Sequence, residues 1–441
     1  MNEAASIDRS EATELPADRP DIIRKVARRV MWWLVALYFF AILDRSNVAY
    51  AAVPMARDIG LTAVTFGMGV GVMYISYSLF EVPSNLLLAR FGARLTLTRI
   101  AVLWGLCTMA SAWVWSPSSF YLLRALLGMA EAGLFPGAML YITFWFPARY
   151  RARYNGFFNY AVPAASIFGS LISGVILSMD GWLGLAGWKW LYLLEGVPAV
   201  FLGLACHVFL SDTPAQARWL SAEEKAWLQA SIAADRAGRT DGEAQATGRL
   251  LPLIVNPRVI LLGLCNSGLF CGLVTGSAWL PQIVHGFGLN FVTVGLLVAC
   301  PSVAGVLGMI WFSRRSDRAN ERFGHASFAF LLTGAGFLLA AAGMASLPLV
   351  LIGFAIVNAG VFAAQAVFWT IPQSFLSERA APGAIGLIAM MGSIGGALSP
   401  VFVGWIRDQT GGFAAGFGTV ALILFAVGGA LWGLRGWFRK S

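Results

Sequence analysis

Twelve apolar stretches interrupt this chain, each close to the roughly 20 residues that a helix needs to cross the hydrocarbon core of a bilayer. They cover 30–52, 65–88, 95–115, 119–144, 152–177 and 188–210, and then, after one polar interruption, 258–284, 291–312, 326–343, 348–371, 383–406 and 413–434. Membrane barrels would show short alternating runs instead, so the spacing predicts an all-α membrane protein of twelve transmembrane helices. The first stretch follows a polar tail, exceeds the apolar part of a signal peptide and has no small-residue cleavage site after it, so it is expected to stay as a helix. Composition agrees, because only 12% of the 441 residues are charged and 58% are hydrophobic, whereas a soluble domain carries about 25% charged residues.

Arginine and lysine set the orientation. Arg24, Lys25, Arg28 and Arg29 precede span 1, Arg90 and Arg94 follow span 2, and Arg149, Arg151 and Arg153 follow span 4. Arg314, Arg315, Arg318 and Arg322 follow span 8, Arg379 follows span 10, and Arg435, Arg439 and Lys440 close the chain. The alternate loops hold Arg57, Lys189 and Arg407, so both termini are expected in the cytoplasm of a cell whose inner membrane holds the chain. The net charge of +9 thus reports membrane topology, not nucleic-acid binding.

The polar interruption divides the spans six and six. The expected organisation is a tail at 1–29, a six-helix bundle at 30–210, a linker at 211–256, a second bundle at 257–436 and a tail at 437–441. Ser221 and Glu224 have capping-box spacing ahead of Trp227, Leu228 and Ile232, which predicts a short surface helix over 221–236. Two pseudo-symmetric bundles with basic turns after their second helices suggest halves that rock about a central cavity.

The five cysteines lie in apolar runs without paired spacing, and the three histidines are scattered, so neither a metal site nor another cofactor is expected.

An ionised side chain in the bilayer costs on the order of 3 kcal/mol and should face protein or water. Asp44 and Arg45 lie about two-thirds along span 1, and Arg124 and Glu131 lie seven apart on nearly one face of span 4. Burial penalises the charged form of a carboxyl group, so Asp44 and Glu131 are candidate proton carriers. Arginine keeps its charge and offers a planar fork to a carboxylate, so Arg45 and Arg124 are candidate anion ligands. Arg124 is expected to pair with Asp44 when no anion is bound. The competing reading is four static salt bridges that lock the bundle. Glu81, Glu195 and His207, near helix ends or on packed faces, are read as structural. Asn47, Tyr74, Tyr77, Asn159 and Tyr160 in the first half, and Trp279, Gln282, Gln365, Phe368, Trp369 and Ser393 in the second, could complete a pocket.

Several segments carry a resemblance: Leu43-Asp44-Arg45-Ser46-Asn47, Phe80-Glu81-Val82-Pro83-Ser84-Asn85, and the run from Arg124 through Gly128 and Glu131 to Gly133. Trp145-Phe146-Pro147, Trp279-Leu280-Pro281-Gln282 and Phe368-Trp369-Thr370-Ile371-Pro372 add to it. Over nearly its whole length the chain resembles the anion:cation symporters of the major facilitator superfamily, closest to their tartrate and aromatic-acid branch. The resemblance implies the major facilitator fold, proton coupling at Asp44 and Glu131, and substrate or charge-relay roles for Arg45 and Arg124. The implied partners are a proton and a small organic anion, such as tartrate, an aromatic acid or a sugar acid, with the protein acting as a monomer in lipid.

The superfamily's cytoplasmic turn reads G-x-x-x-D-R-x-G-R. Here Ala89 stands in place of its Asp while Arg90, Gly92 and Arg94 are kept, so a gating salt bridge is expected from Asp317 and Arg318 in the second half instead. Ala389 and Ser393 occupy positions where the family often places Asn, which implies a substrate less hydroxylated than a sugar acid. An anion exchanger or a drug exporter would use the same fold, although exporters seldom need two arginines beside two acids. A membrane sensor would need a signalling domain, and a membrane enzyme would need a nucleophile with its base or a metal cluster; the sequence offers no such constellation.

Overall fold

The computed structural model describes residues 18–237, 256–319, 321–375, 381–433 and 435. Residues 1–17, linker residues 238–255, Arg379 and the tail at 437–441 lie outside the described residues. Twelve helices are long and apolar enough to cross a membrane. Spans 1 to 6 are Pro20–Ile59, Ala63–Leu88, Ala93–Trp113, Pro117–Trp145, Ala148–Leu177 and Gly187–Phe209. Spans 7 to 12 are Pro257–His285, Phe291–Ala319, Phe323–Ala342, Leu347–Pro372, Ala384–Thr410 and Ala414–Gly433.

Packing repeats between the halves. Span 3 lies on 6 as 9 lies on 12, span 2 on 4 as 8 on 10, and span 1 on 5 as 7 on 11. The two six-helix bundles are therefore pseudo-symmetric. The halves meet along 1 on 7, 2 on 11 and 5 on 8, and the last two seams exchange under the same twofold.

The seams close at the end of the bundle remote from the termini. A Cβ on Gly67 of span 2 would come within 2.3 Å of the Pro400 carbonyl of span 11, and one on Gly295 of span 8 within 2.4 Å of the Ser170 carbonyl of span 5. Glycine at both places lets two backbones touch, as small residues do between membrane helices. Asp408 ends this seam by accepting hydrogen bonds from the backbone N–H groups of Ala63 (3.2 Å) and Val64 (3.0 Å), the first turn of span 2. The Trp279 indole packs between Phe66 and Phe413, at ring separations of 5.3 and 5.1 Å.

Span 1 runs ten residues earlier than hydropathy alone places it, starting at Pro20. The basic stretch stays helical because Ile22, Ile23 and Val26 are buried while Lys25 reaches Glu224 at 2.7 Å and Arg19 reaches Glu223 at 2.9 Å. Both acids sit on the linker helix Ala222–Ala237, which the reciprocal bonds between Ser221 and Glu224 cap.

Three spans are broken within the membrane. Span 4 divides into Pro117–Glu131 and Leu134–Trp145, with Gly133 in the left-handed region at φ 88°. Span 5 divides at Tyr160 into Ala148–Asn159 and Ala161–Leu177, and span 10 divides at Trp369. Tyr160 and Trp369 keep right-handed helical dihedrals, so only Ala132 and Gly133 of span 4 leave the helical region, which is tolerated at this depth where backbone is buried in protein.

Candidate functional site

Spans 1 and 4 bring their charged residues into the core of the first half. Glu131 is the last residue of the first segment of span 4, where the free carbonyls of a helix end disfavour a negative charge. Arg45 supplies the compensating cation. Its Nε donates to Glu131 Oε1 at 2.7 Å, and its guanidinium lies 4.6 Å over the ring of Tyr77. Glu131 is sealed, whereas the Arg45 side chain keeps 22% of its surface accessible. Glu131 Oε2 has no hydrogen-bond partner among the described residues.

Asp44 turns the other way. Consecutive helical residues point about 100° apart, so neighbours on span 1 meet different helices. Asp44 is 1% exposed, and its Oδ1 accepts from the Thr108 hydroxyl at 2.7 Å and the Asn47 amide at 3.0 Å. Its Oδ2 has no hydrogen-bond partner among the described residues.

Arg124 also is 1% exposed. Its Nη2 lies 2.9 Å from the Met73 sulfur, and Nε and Nη1 have no hydrogen-bond partner among the described residues. The expected Arg124–Asp44 pair is not formed: the two lie within electrostatic range, but no ion-pair contact joins them. Which carboxylate meets which guanidinium follows from helix rotation, and rotation sends Arg45 to Glu131 of span 4 while Asp44 and Arg124 stay without an ion-pair contact to each other.

The remaining candidates are spread more widely. Tyr74 and Tyr77 lie half-buried near Arg45. Asn159 and Tyr160 are exposed at the break in span 5. Gln365, Trp369 and Ser393 are half-buried on spans 10 and 11, with the Phe368 ring edge-on to Trp369 at 5.6 Å. Asn47 is fully buried with its amide on Asp44, so it supports that acid and presents nothing to a cavity.

Three expectations need correction. Trp279 is 0% exposed in the seam at the closed end and lines no cavity wall. Gln282 lies a turn further out, in a cavity of about 580 Å³ with Arg57, Arg407 and Asp408. Asp317 pairs with Arg322, five residues on, and no ion pair joins it to its neighbour Arg318, because adjacent helical residues diverge. In the matching turn of the first half, Arg90 lies over Phe91 at 5.3 Å. Arg94 meets Asp212 through its backbone N–H (2.8 Å) and His207 through its side chain (3.3 Å).

Two participants escaped sequence reasoning. Tyr38 stacks on Phe158 at 4.5 Å within electrostatic range of Arg45 and Glu131; it lies seven residues before Arg45 and so on the same face, a signal that was available. Thr108 carries no such signal, being one of several hydroxyls in span 3, any of which could bond its own helix.

A sequence profile of the family described as Major Facilitator Superfamily matches residues 34–400. A protein of Agrobacterium vitis provisionally named a tartrate transporter is 42% identical over 91% of this chain and 89% of its own length. A quinolone resistance transporter of Acinetobacter baumannii is 39% identical over 92% of each chain. Among solved structures, a bacterial homologue of the human lysosomal transporter Spinster, in an inward-facing and occupied conformation, superposes with a TM-score of 0.73. That match covers 95% of this chain and 97% of the other at 15% identity, and so concerns the fold alone.

Proposed function

The chain belongs to the major facilitator superfamily of membrane transporters, and from that premise we propose that it imports a small organic anion together with a proton by alternating access. The observation that carries this reading is Arg124, a buried guanidinium with two nitrogens unbonded, in a core that also holds two buried acids. Such a charge is costly in a membrane interior, and an arriving carboxylate would relieve the cost while meeting a fork of matching geometry.

Coupling follows from exchange of partners. A proton on Glu131 weakens its bond to Arg45, whose accessible guanidinium then turns to the substrate; loss of that proton restores the pair and expels the anion. Asp44 holds the second proton-carrying position. Proton and anion thereby assist each other's binding, as linkage requires. Tyr74, Tyr77, Asn159 and Tyr160 would flank the anion from the first half, and Gln365, Trp369 and Ser393 from the second.

The arginine-rich turns favour termini in the cytoplasm, an orientation in which the closed end faces outward. The tartrate relative and the rings of Tyr74, Tyr77 and Trp369 favour a short dicarboxylic or aromatic acid over a hexonate.

Proteoliposomes with an alkaline interior test this. Radiolabelled tartrate or a simple aromatic acid should accumulate against its gradient and leak out when a protonophore is added. Accumulation indifferent to the protonophore would reject symport.

Export has one specific support, the quinolone resistance relative. Quinolones themselves carry an aromatic carboxyl group, so Arg124 suits either cargo. Proton-driven accumulation confined to inverted vesicles would decide for export.

A further inference from the structure

Beyond the Asp44, Glu131 and arginine set lies a third acid sealed in the first half. Glu195 of span 6 is 4% exposed. Its Oε1 accepts from the Ser173 hydroxyl of span 5 at 3.1 Å, and its Oε2 has no hydrogen-bond partner among the described residues. No ion pair is made by Glu195 among the described residues. Sequence position suggested a packing role for it, since it lies near a helix end. Its surroundings do not fit that role, because an acid kept only for packing would be expected to have both oxygens satisfied.

The groups that face Glu195 come from each helix around it. Span 1 brings Asp44 and Tyr50, both within electrostatic range, and the Asn47 side chain, which bonds Asp44 and also reaches Glu195. Span 5 brings Ser173. Tyr192, three residues earlier on span 6, lies in range of Glu195, Asp44 and Arg124. Span 3 turns Thr108 and Cys107 toward Asp44. The cation of this neighbourhood is Arg124, on the Asp44 side and unbonded to either acid.

We propose that Asp44 and Glu195 form a carboxyl pair, bridged by Asn47, that shares a single proton, and that Glu195 is a further coupling residue of the transport cycle. Two acids in one dry core cannot both stay ionised without cations in contact, since burial strips water from each charge and each repels the other. Each has one satisfied oxygen, Oδ1 on Asp44 and Oε1 on Glu195, and one unpartnered oxygen to hold the shared proton. Transfer is balanced: the proton leaves one carboxyl oxygen and binds the other, and the negative charge moves the opposite way. Ser173 lies four residues from the end of span 5 at the closed end, so Glu195 is the acid of the pair nearer that side. It delivers protons to Asp44 when the closed end opens. The Asn47 side chain, which donates to Asp44 Oδ1 at 3.0 Å and also reaches Glu195, holds the two carboxyls beside each other, which makes it a positioning residue.

This inference rests on proton symport, but part of its test does not. Purified full-length protein in lipid is titrated by difference infrared spectroscopy, following the carboxylic-acid carbonyl band. Wild type should hold one protonated carboxyl from this pair at neutral pH, and the band should change in both E195Q and D44N because the two share it. In proteoliposomes, E195Q should shift the midpoint of the pH profile of accumulation by roughly one unit or more, as removal of a strongly interacting acid does. Anion exchange without a gradient should persist in E195Q, and E195D should recover most of the wild-type profile, which a role in packing alone would not produce. A band unchanged in E195Q overturns the inference even if symport is real, and so does a pH profile identical to wild type. Accumulation driven by sodium and lost in E195Q would also overturn it, by making the oxygens a metal-ion site. Absence of any proton-driven uptake in wild type would instead remove the symport reading, while the spectrum still decides whether the pair shares its proton.

Discussion

Arg45 holds Glu131 through a single bond, Nε to Oε1 at 2.7 Å, while its own side chain remains partly accessible and Glu131 does not. A pair built this way can be taken apart from one side. Removing the charge of Glu131 should free the guanidinium permanently, so Glu131→Gln is expected to lose proton-driven accumulation while still exchanging labelled for unlabelled anion. Counterflow in proteoliposomes, at equal pH on both sides, measures the second property; full accumulation by the variant would remove Glu131 from coupling.

Arg124 makes a sharper demand. Two of its nitrogens are unbonded, and a bidentate carboxylate would need a planar fork that lysine lacks. Arg124→Lys keeps the charge, and should nevertheless weaken anion binding about tenfold or more, roughly 1.4 kcal/mol. Calorimetric titration of the purified variant with the transported acid checks this, and wild-type affinity would show that the guanidinium takes no part in holding the anion.

The sequence exposed these four residues because each is an ion in an apolar run, and a membrane interior makes such a residue conspicuous. It did not expose their partners. Asp44 and Arg45 are neighbours in the chain yet face different helices, and only the rotation of span 1 decides that Asp44 meets Thr108 while Arg45 meets Glu131. The same limit misplaced Trp279 and Gln282. They sit on span 7 only six and three residues from its closed end at His285, where the halves touch, a depth that counting along the helix gives. Glu195 is a related case, since a position in the first half of span 6 does not tell whether a side chain meets lipid, a hydroxyl or another acid, and here it meets the Ser173 hydroxyl. The breaks at Gly133, Tyr160 and Trp369 were hidden as well, because hydropathy runs through them without interruption.

The closed end offers a separate handle. Asp408 accepts from two backbone N–H groups at the start of span 2, a cap supplied from the opposite half. Losing a cap of this kind costs about 1 kcal/mol, enough to shift a balance between closed and open forms by roughly fivefold. Asp408→Ala should therefore populate the form open at this end. Spin labels at the exposed positions Leu183 and Ala345, one in each half at that end, would show a longer distance component in the variant. An unchanged distance distribution would mean that the backbone seams at Gly67 and Gly295 hold the end shut without it.

Lys25 ties the linker helix to the extended start of span 1. It bonds Glu224 at 2.7 Å, and with the Ser221 N–H it holds the Glu224 carboxyl below the usual carboxylate range. A carboxyl lowered by folding stabilises the folded contact fully at pH values above its free value of about 4.3. That contribution fades as pH falls through the lowered value, where the carboxylate takes up a proton. Hydrogen exchange of the amides in Ala222–Ala237 should thus stay protected from neutral pH down to about 4, after allowing for intrinsic rates, and rise below that. Lys25→Ala should raise exchange in this helix at neutral pH and leave the membrane spans unaffected. Equal protection in the variant would show that the buried contacts of Leu228 and Ile232, not the ion pair, fix the linker to the first half.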